Sequence, residues 1–202
     1  MLIDGGRSCG LWHKEECLFF GDGGVVYVSG GSYSIKANNS MFNNCFSSSW
    51  GGAIFFDTLN SFIRMICSNS CSCGASFGGH FAYLGASQMN QVEYLSVSYC
   101  SHTTSGYYLI CLEKGHQRVE NTNSSMNNAY LGSAIYVSSP PSFTSSHCSF
   151  SNNKVSHRIG IYIFSNSGRN SMSYANFVHN NSPYSVGGIV YVEGTGSKEM
   201  IY

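Results

Sequence analysis

The chain has 202 residues, and its 10 Lys and Arg balance its 10 Asp and Glu to zero net charge. Such a surface has nothing to draw in a phosphate backbone, so nucleic acid is excluded as a partner. Ser, Asn and Gly, with 14 Tyr and 13 Phe, take the place of charge, a mixture that favours turns and strands and leaves helix nearly absent.

The opening stretch, Met1 to Phe20, carries Asp4, Arg7, Lys14, Glu15 and Glu16 and no continuous apolar segment, so it does not have the form of a signal peptide. Residues 1–22 are expected to form a partial coil or cap. No membrane span is expected, because the longest apolar run, Tyr107 to Leu112, has six residues where a spanning helix needs about 18.

From residue 23 a short apolar strand recurs behind a Gly-Gly or its remnant, at Gly23, Gly51, Gly78, Ser105, Gly132, Ile159 and Gly187. The gaps are 28, 27, 27, 27, 27 and 28 residues. Self-similarity at this period signals stacked units, none of which buries an apolar face alone. Aligned without gaps, the third and fifth places behind each anchor share one strand face. That face is expected to be the core: Val26 and Val28, Ile54 and Phe56, Phe81 and Tyr83, Tyr108 and Ile110, Ile135 and Val137, Tyr162 and Phe164, Val190 and Val192. The fourth place then points outward as a stripe of Tyr27, Phe55, Ala82, Leu109, Tyr136, Ile163 and Tyr191.

A second strand-like stretch follows in each unit, as in Phe62 to Cys67 and Gln91 to Val97, and often ends in paired Asn such as Asn127-Asn128, Asn152-Asn153 and Asn180-Asn181. Asn tolerates left-handed conformations and bonds turn backbone, and stacked coils would bring these amides into a ladder. The expected fold is therefore all-β, a parallel β-helix with about six to seven coils of 27–28 residues over 23–194 and a tail at 195–202; that it is right-handed, as in pectin-lyase-like solenoids, follows from the known preference of parallel crossovers and not from the spacing. An open coil end at the tail would expose strand edges, so the expectation is either that further sequence covers it or that the isolated chain self-associates, end to end or edge to edge.

Two signatures, Gly51-Gly52-Ala53-Ile54 and the Phe-x-x-Asn of Phe150 to Asn153 and Phe177 to Asn180, resemble the repeat of the polymorphic outer membrane proteins and the β-helix repeats of protist surface proteins. The resemblance covers roughly residues 20 to 194. It implies a secreted or surface-displayed stalk, extracellular or on the cell surface, used in adhesion or antigenic display.

Chemistry is sparse. Sugar cleavage needs two carboxylates about 5–9.5 Å apart, and Glu93 and Glu120 share one place in adjacent coils, the best such pair. Asp57 has Ser29 and Leu84 at its place in the gapless alignment, so no acid stacks beside it. Nine Cys is an odd number, so at least one is free or bonded to another chain. Cys67, Cys71 and Cys73 cluster, but Cys45, Cys73 and Cys100 share one place in their coils, as small side chains filling a repeated slot do. No metal and no cofactor is expected, and the seven His are dispersed. The sequons at Asn38, Asn123 and Asn180 would accept glycans in a secreted parent.

The sequence therefore points to a non-enzymatic surface β-helix segment that recognises a glycan or protein through Tyr27, Phe55, Leu109, Tyr136 and Tyr191. The alternatives are a carbohydrate-active enzyme using Glu93 and Glu120, and an inactive fragment of a larger repeat protein.

Overall fold

The computed structural model describes residues 13–14, 17–19, 23–66, 69–100, 106–129, 132–155, 160–164, 168–181, 189–195 and 197–201. Every regular element among them is a β-strand. Three long sheets of seven strands each run the length of the molecule. The first holds Val26–Ser29, Ile54–Thr58, Ala82–Ala86, Tyr108–Glu113, Gly132–Ser138, Ile161–Phe164 and Val190–Glu193. The second holds Ile35–Asn38, Phe62–Ile66, Met89–Glu93, His116–Glu120, Ser142–Ser146, Arg169–Ser173 and Ser197–Ile201. The third is narrower: His13–Lys14, Met41–Asn43, Asn69–Cys71, Ser96–Ser98, Asn123–Ser125, Ser149–Ser151 and Asn176–Val178.

Each pass of the chain visits the three sheets in turn, and every strand pairs in parallel with the equivalent strand of the next pass. Shorter strands, Cys45–Ser47 with Gly74–Ala75 and Asn128–Ala129 with Lys154–Val155, lead from the third sheet back towards the first. The molecule is a parallel β-solenoid. About five coils are complete, against the six to seven expected from spacing, with further strands at either end. No helix among the described residues is long and apolar enough to cross a membrane.

Inward side chains stack in columns. On the first sheet Val26, Ile54, Ala82, Ile110, Ile135, Ile161 and Val190 are successive register partners, as are Val28, Phe56, Leu84, Leu112, Val137, Ile163 and Val192. Ile63, Met65, Val92 and Val119 enter the same core from the second sheet, and Phe42, Val97 and Phe150 from the third. Burying each large member is worth roughly 1.5–3 kcal/mol against exposure, and because the columns are continuous, most of that gain comes from contact between coils.

This register corrects the gapless alignment. Gly51, with φ of 66°, is hydrogen-bonded through its N–H to the carbonyl of Gly78, and the left-handed equivalent in the next coil is Gly79, with φ of 62°. The pair Gly78-Gly79 thus lies over Trp50-Gly51, with Trp50 bridged to Gly78, one residue from where its lettering suggests. A one-residue slip exchanges the two faces of a strand. Tyr83, and Tyr162 in a coil displaced by one residue the other way, accordingly leave the core for an outer cluster against which Phe164 packs, while Ala82 and Ile163 turn inward. In the coil of Ile110 the displacement is two residues, so Ile110 keeps its inward place; Tyr108 joins the outer cluster and Leu109 the core at a local irregularity. A register irregularity between Tyr108 and Ile110 resets the alignment in the next coil. As a result the first sheet takes 25 residues from Ile110 to Ile135 but 29 from Ile161 to Val190.

Single left-handed residues make the corners. Between the second and third sheets these are Asn39, Tyr94, Asn121, His147 and Tyr174; beyond the third they are Asn44, Ser72, Tyr99, Met126, Asn152 and His179. Each bends the chain once, and most donate their N–H to a carbonyl of the next coil, as Tyr94 does to Glu120 and Tyr99 to Ser125. Glycine is therefore not what these two corners require, since the strain of a Cβ at positive φ is offset by pairing between coils.

Directly after the third sheet's outer corner lies an internal ladder. The Oδ1 atoms of Asn127, Asn153 and Asn180 accept from the backbone N–H of Cys100, Asn127 and Asn153 at 2.8, 3.0 and 3.0 Å. Their Nδ2 groups donate to the carbonyls of Val97, Ser124 and Phe150 in the preceding coil. The expected asparagine ladder exists, and Cys73 and Cys100 continue it, the Cys73 N–H donating to the Cys100 Sγ at 3.4 Å. The Phe-x-x-Asn signature now has a physical meaning: Phe150 fills the core and Asn153 closes the corner three residues later.

Candidate functional site

Four of the five residues expected to bind, Tyr27, Phe55, Tyr136 and Tyr191, lie on the outer side of the first sheet in one register column with Tyr83, Cys111 and Tyr162. Leu109 does not join them: it is in the core at 0% exposure beside inward Ile110, at the register irregularity between Tyr108 and Ile110. The rings stack on one another. Tyr27 lies on Phe55 with centroids 5.3 Å apart and Phe55 on Tyr83 at 4.8 Å, both with interplanar angles of 12°. Where Cys111 leaves a gap, Tyr108 fills it and stacks on Tyr136. Most ring faces are thus covered by the neighbouring ring, and only Tyr27, 56% exposed, is widely open to solvent.

Acids edge this column. Tyr83 donates its hydroxyl to Glu113 at 2.6 Å and Tyr162 to Glu193 at 2.8 Å. Burial, reinforced by the bond to Glu113, pushes the Tyr83 phenol well above its ordinary range. Beneath it the fully buried Cys111 thiol is pushed up by the same two causes. The register partner of Asp57 in the next coil is Gly85, not Leu84. The missing side chain there leaves room for the Asp57 carboxylate, and Lys114 reaches across to pair with it. The slip hid this arrangement from the sequence; the signal that would have revealed it is the alignment of Gly79 with Gly51.

Glu93 and Glu120 are register neighbours on the second sheet. Each carboxylate has its own arginine, Arg64 to Glu93 at 3.3 Å and Arg118 to Glu120 at 2.9 Å. Gln91 also donates to Glu93. The outer columns Lys36, Arg64, Gln91, Arg118 and Asn38, Ile66, Glu93, Glu120 make this a charged, ion-paired sheet face.

One titratable group is buried outright. His80, at 0% exposure, accepts a hydrogen bond from the Ala75 N–H through Nδ1 at 3.1 Å. Its Nε2 lies against the Gly106 backbone without closing a well-aligned bond. A Cβ at Gly106 would stand 2.0 Å from the imidazole Cε1, so the ring itself demands glycine there. Burial holds the His80 pKa down at about 4.

The third sheet differs from the other two. From Met41 to Val178 its strands contain no Asp, Glu, Lys or Arg. Ser96, Asn123 and Ser149 form one outward column and Ser98, Ser125 and Ser151 a second, alternating with inward Val97, Ser124 and Phe150. Inward Ser124 and Asn127 are hydrogen-bonded within the ladder. The six outward side chains make no hydrogen bond to any other described residue. Tyr94 and Tyr99, 57% and 56% exposed, stand at the two corners bounding this face. Of the three sequons, Asn123 alone has an exposed side chain; Asn38 is half-buried and Asn180 is engaged in the ladder.

Cys45, Cys73, Cys100, Cys111 and Cys148 are buried, and none of the five is in a disulfide. Cys67 lies outside the described residues, as does the side chain of Cys71. No group of three or more His, Cys, Asp or Glu among the described residues is placed to hold a metal ion. The chain matches no family model, no curated protein and no solved structure at a significant level.

Proposed function

We propose that this chain is a non-enzymatic β-solenoid segment of a surface or secreted protein, serving recognition or adhesion through its repetitive outer faces. The observation that carries the reading is the contrast between its acids and its exposed columns. Glu93 and Glu120 are each matched by an arginine, whereas outward polar side chains recur coil after coil with no internal partner. A scaffold that spends its interior on stacking and leaves its faces regular suits an extended ligand.

The resemblance of Gly51-Gly52-Ala53-Ile54 and Phe150 to Asn153 to the repeats of the polymorphic outer membrane proteins supports surface display. Both signatures build corners and core, so they support the architecture more directly than any activity.

The test assays the purified chain for turnover and for binding against polysaccharides and host-cell surfaces. Binding without turnover, unaffected by Glu120→Gln, is the expected result. Polysaccharide cleavage abolished by Glu120→Gln would replace this reading with the carbohydrate-active enzyme.

A further inference from the structure

We infer that the third sheet is a docking plate for an uncharged linear polysaccharide lying along the coil axis between the Tyr94 and Tyr99 rims. This rests on the reading of the chain as a recognition scaffold and assigns a face and a ligand class to it.

Three features converge. The plate carries no formal charge from Met41 to Val178; apart from Lys14 in the sheet's first strand and Lys154 on a short connecting strand, the described Asp, Glu, Lys and Arg sit on the other two sheets and at the corners. A polyanion would find no cation here, and a basic peptide no acid; a neutral partner loses nothing in charge desolvation. Secondly, Ser96, Ser98, Asn123, Ser125, Ser149 and Ser151 present hydroxyl and amide groups that the fold itself leaves unused. Their lattice repeats every ~4.8 Å from coil to coil and about 6.6 Å along a strand. A hydroxyl both donates and accepts, so this lattice suits a polymer that also repeats hydroxyls at short, regular intervals.

Thirdly, the rims offer open aromatic faces. Unlike the first-sheet rings, which cover one another, Tyr94 and Tyr99 are more than half exposed. Both are held at positive φ, 50° and 54°, at positions where other coils use Asn, and they flank the Ser96–Ser98 strand on either side. A protein partner is disfavoured by the same surface, because the plate lacks the buried aromatic or Arg anchors around which protein interfaces concentrate their energy.

The test is co-sedimentation of the full chain with insoluble cellulose, chitin and β-1,3-glucan, with soluble polygalacturonate as the anionic comparison by affinity electrophoresis. Retention on at least one neutral polymer and none on polygalacturonate is expected. The double substitution Ser98→Lys with Ser125→Lys should weaken retention at least tenfold, while Thr144→Lys on the second sheet leaves it unchanged. Ser98→Ala with Ser125→Ala removes the hydroxyls without adding charge and covers the case in which the lysine variant fails to fold, as judged by circular dichroism.

Retention that survives both double variants, or that is lost only on Tyr27→Ser, overturns the plate while leaving the recognition reading intact. Retention on none of the neutral polymers also overturns it. Cleavage of any of them would sink the scaffold reading as well.

Discussion

The backbone N–H of Cys100 donates to the Oδ1 of Asn127 at 2.8 Å, and at this junction the inner ladder changes from thiols to amides. On one side, Cys73 donates its N–H to a sulfur at 3.4 Å and its own Sγ lies 3.8 Å from the Phe42 carbonyl. On the other, Asn153 accepts from Asn127 at 3.0 Å and donates to Ser124 at 3.0 Å. Cysteine occupies the same rung with weaker versions of the same two bonds.

Cys100→Asn should therefore extend the amide ladder by one coil and stabilise the chain by about 1 kcal/mol, the net worth of a typical hydrogen bond. The converse change, Asn153→Ala, removes the side-chain bonds to the Asn127 N–H and the Ser124 carbonyl of the preceding coil and should cost at least about 2 kcal/mol. Urea denaturation of both variants against the parent measures the two effects; a destabilised Cys100→Asn would show that the slot does not admit an amide.

Tyr94 holds a positive φ without glycine's freedom or asparagine's tolerance. Tyr94→Asn should raise stability by about 0.5–1 kcal/mol through relief of that strain. The same variant should lose affinity for a neutral glycan, so thermal melts and co-sedimentation are expected to move in opposite directions.

Gly51 and Gly79 are equivalent rungs, and a Cβ on them would stand 2.1 Å from the Ile54 carbonyl oxygen and 2.6 Å from that of Ala82. Gly51→Ala and Gly79→Ala should each cost at least about 2 kcal/mol, from clash and positive φ together. Equal, large losses of melting temperature in the two variants would verify the register; a harmless Gly79→Ala would contradict it.

His80 makes stability depend on pH. Its folded pKa of about 4 lies below the ordinary histidine value of 6.5, so between these values the unfolded chain binds a proton that the folded chain refuses. The contribution is fully present above pH 6.5, falls as the pH drops and is exhausted below pH 4, up to about 3 kcal/mol in all. His80→Gln should flatten that part of the stability profile, as read from denaturation midpoints between these limits; an unchanged slope would place the proton uptake elsewhere.

The period of the repeat was legible because core columns require similar apolar residues at each pass, and Phe150, Asn153 and Gly51 announce their roles by type. The facing of each strand was not. Tyr83 and Ala82, or Tyr162 and Ile163, are adjacent, both suit strands, and both fit an apolar pattern; only register tells which looks out, the pairing of Gly79 with Gly51 for the first pair and of Ile161 with Ile135 for the second. That displacement put Gly85 beside Asp57, and the irregularity between Tyr108 and Ile110 took Leu109 into the core. The left-handed corners were missed for another reason: Tyr94, Tyr99 and Met126 carry no residue-type signature of positive φ, since their conformation is imposed by pairing between coils. The unused hydroxyls of the third sheet read in sequence as ordinary turn-rich composition and acquire meaning only when stacked.

The first sheet's unequal passes, 25 residues from Ile110 to Ile135 and 29 from Ile161 to Val190, mean that the bends flanking it work as expansion joints. Residues can be gained or lost there while the threading of all three walls is preserved, so these are the places where a loop of new sequence could be grafted, or natural variants could diverge in length, without rebuilding the tube.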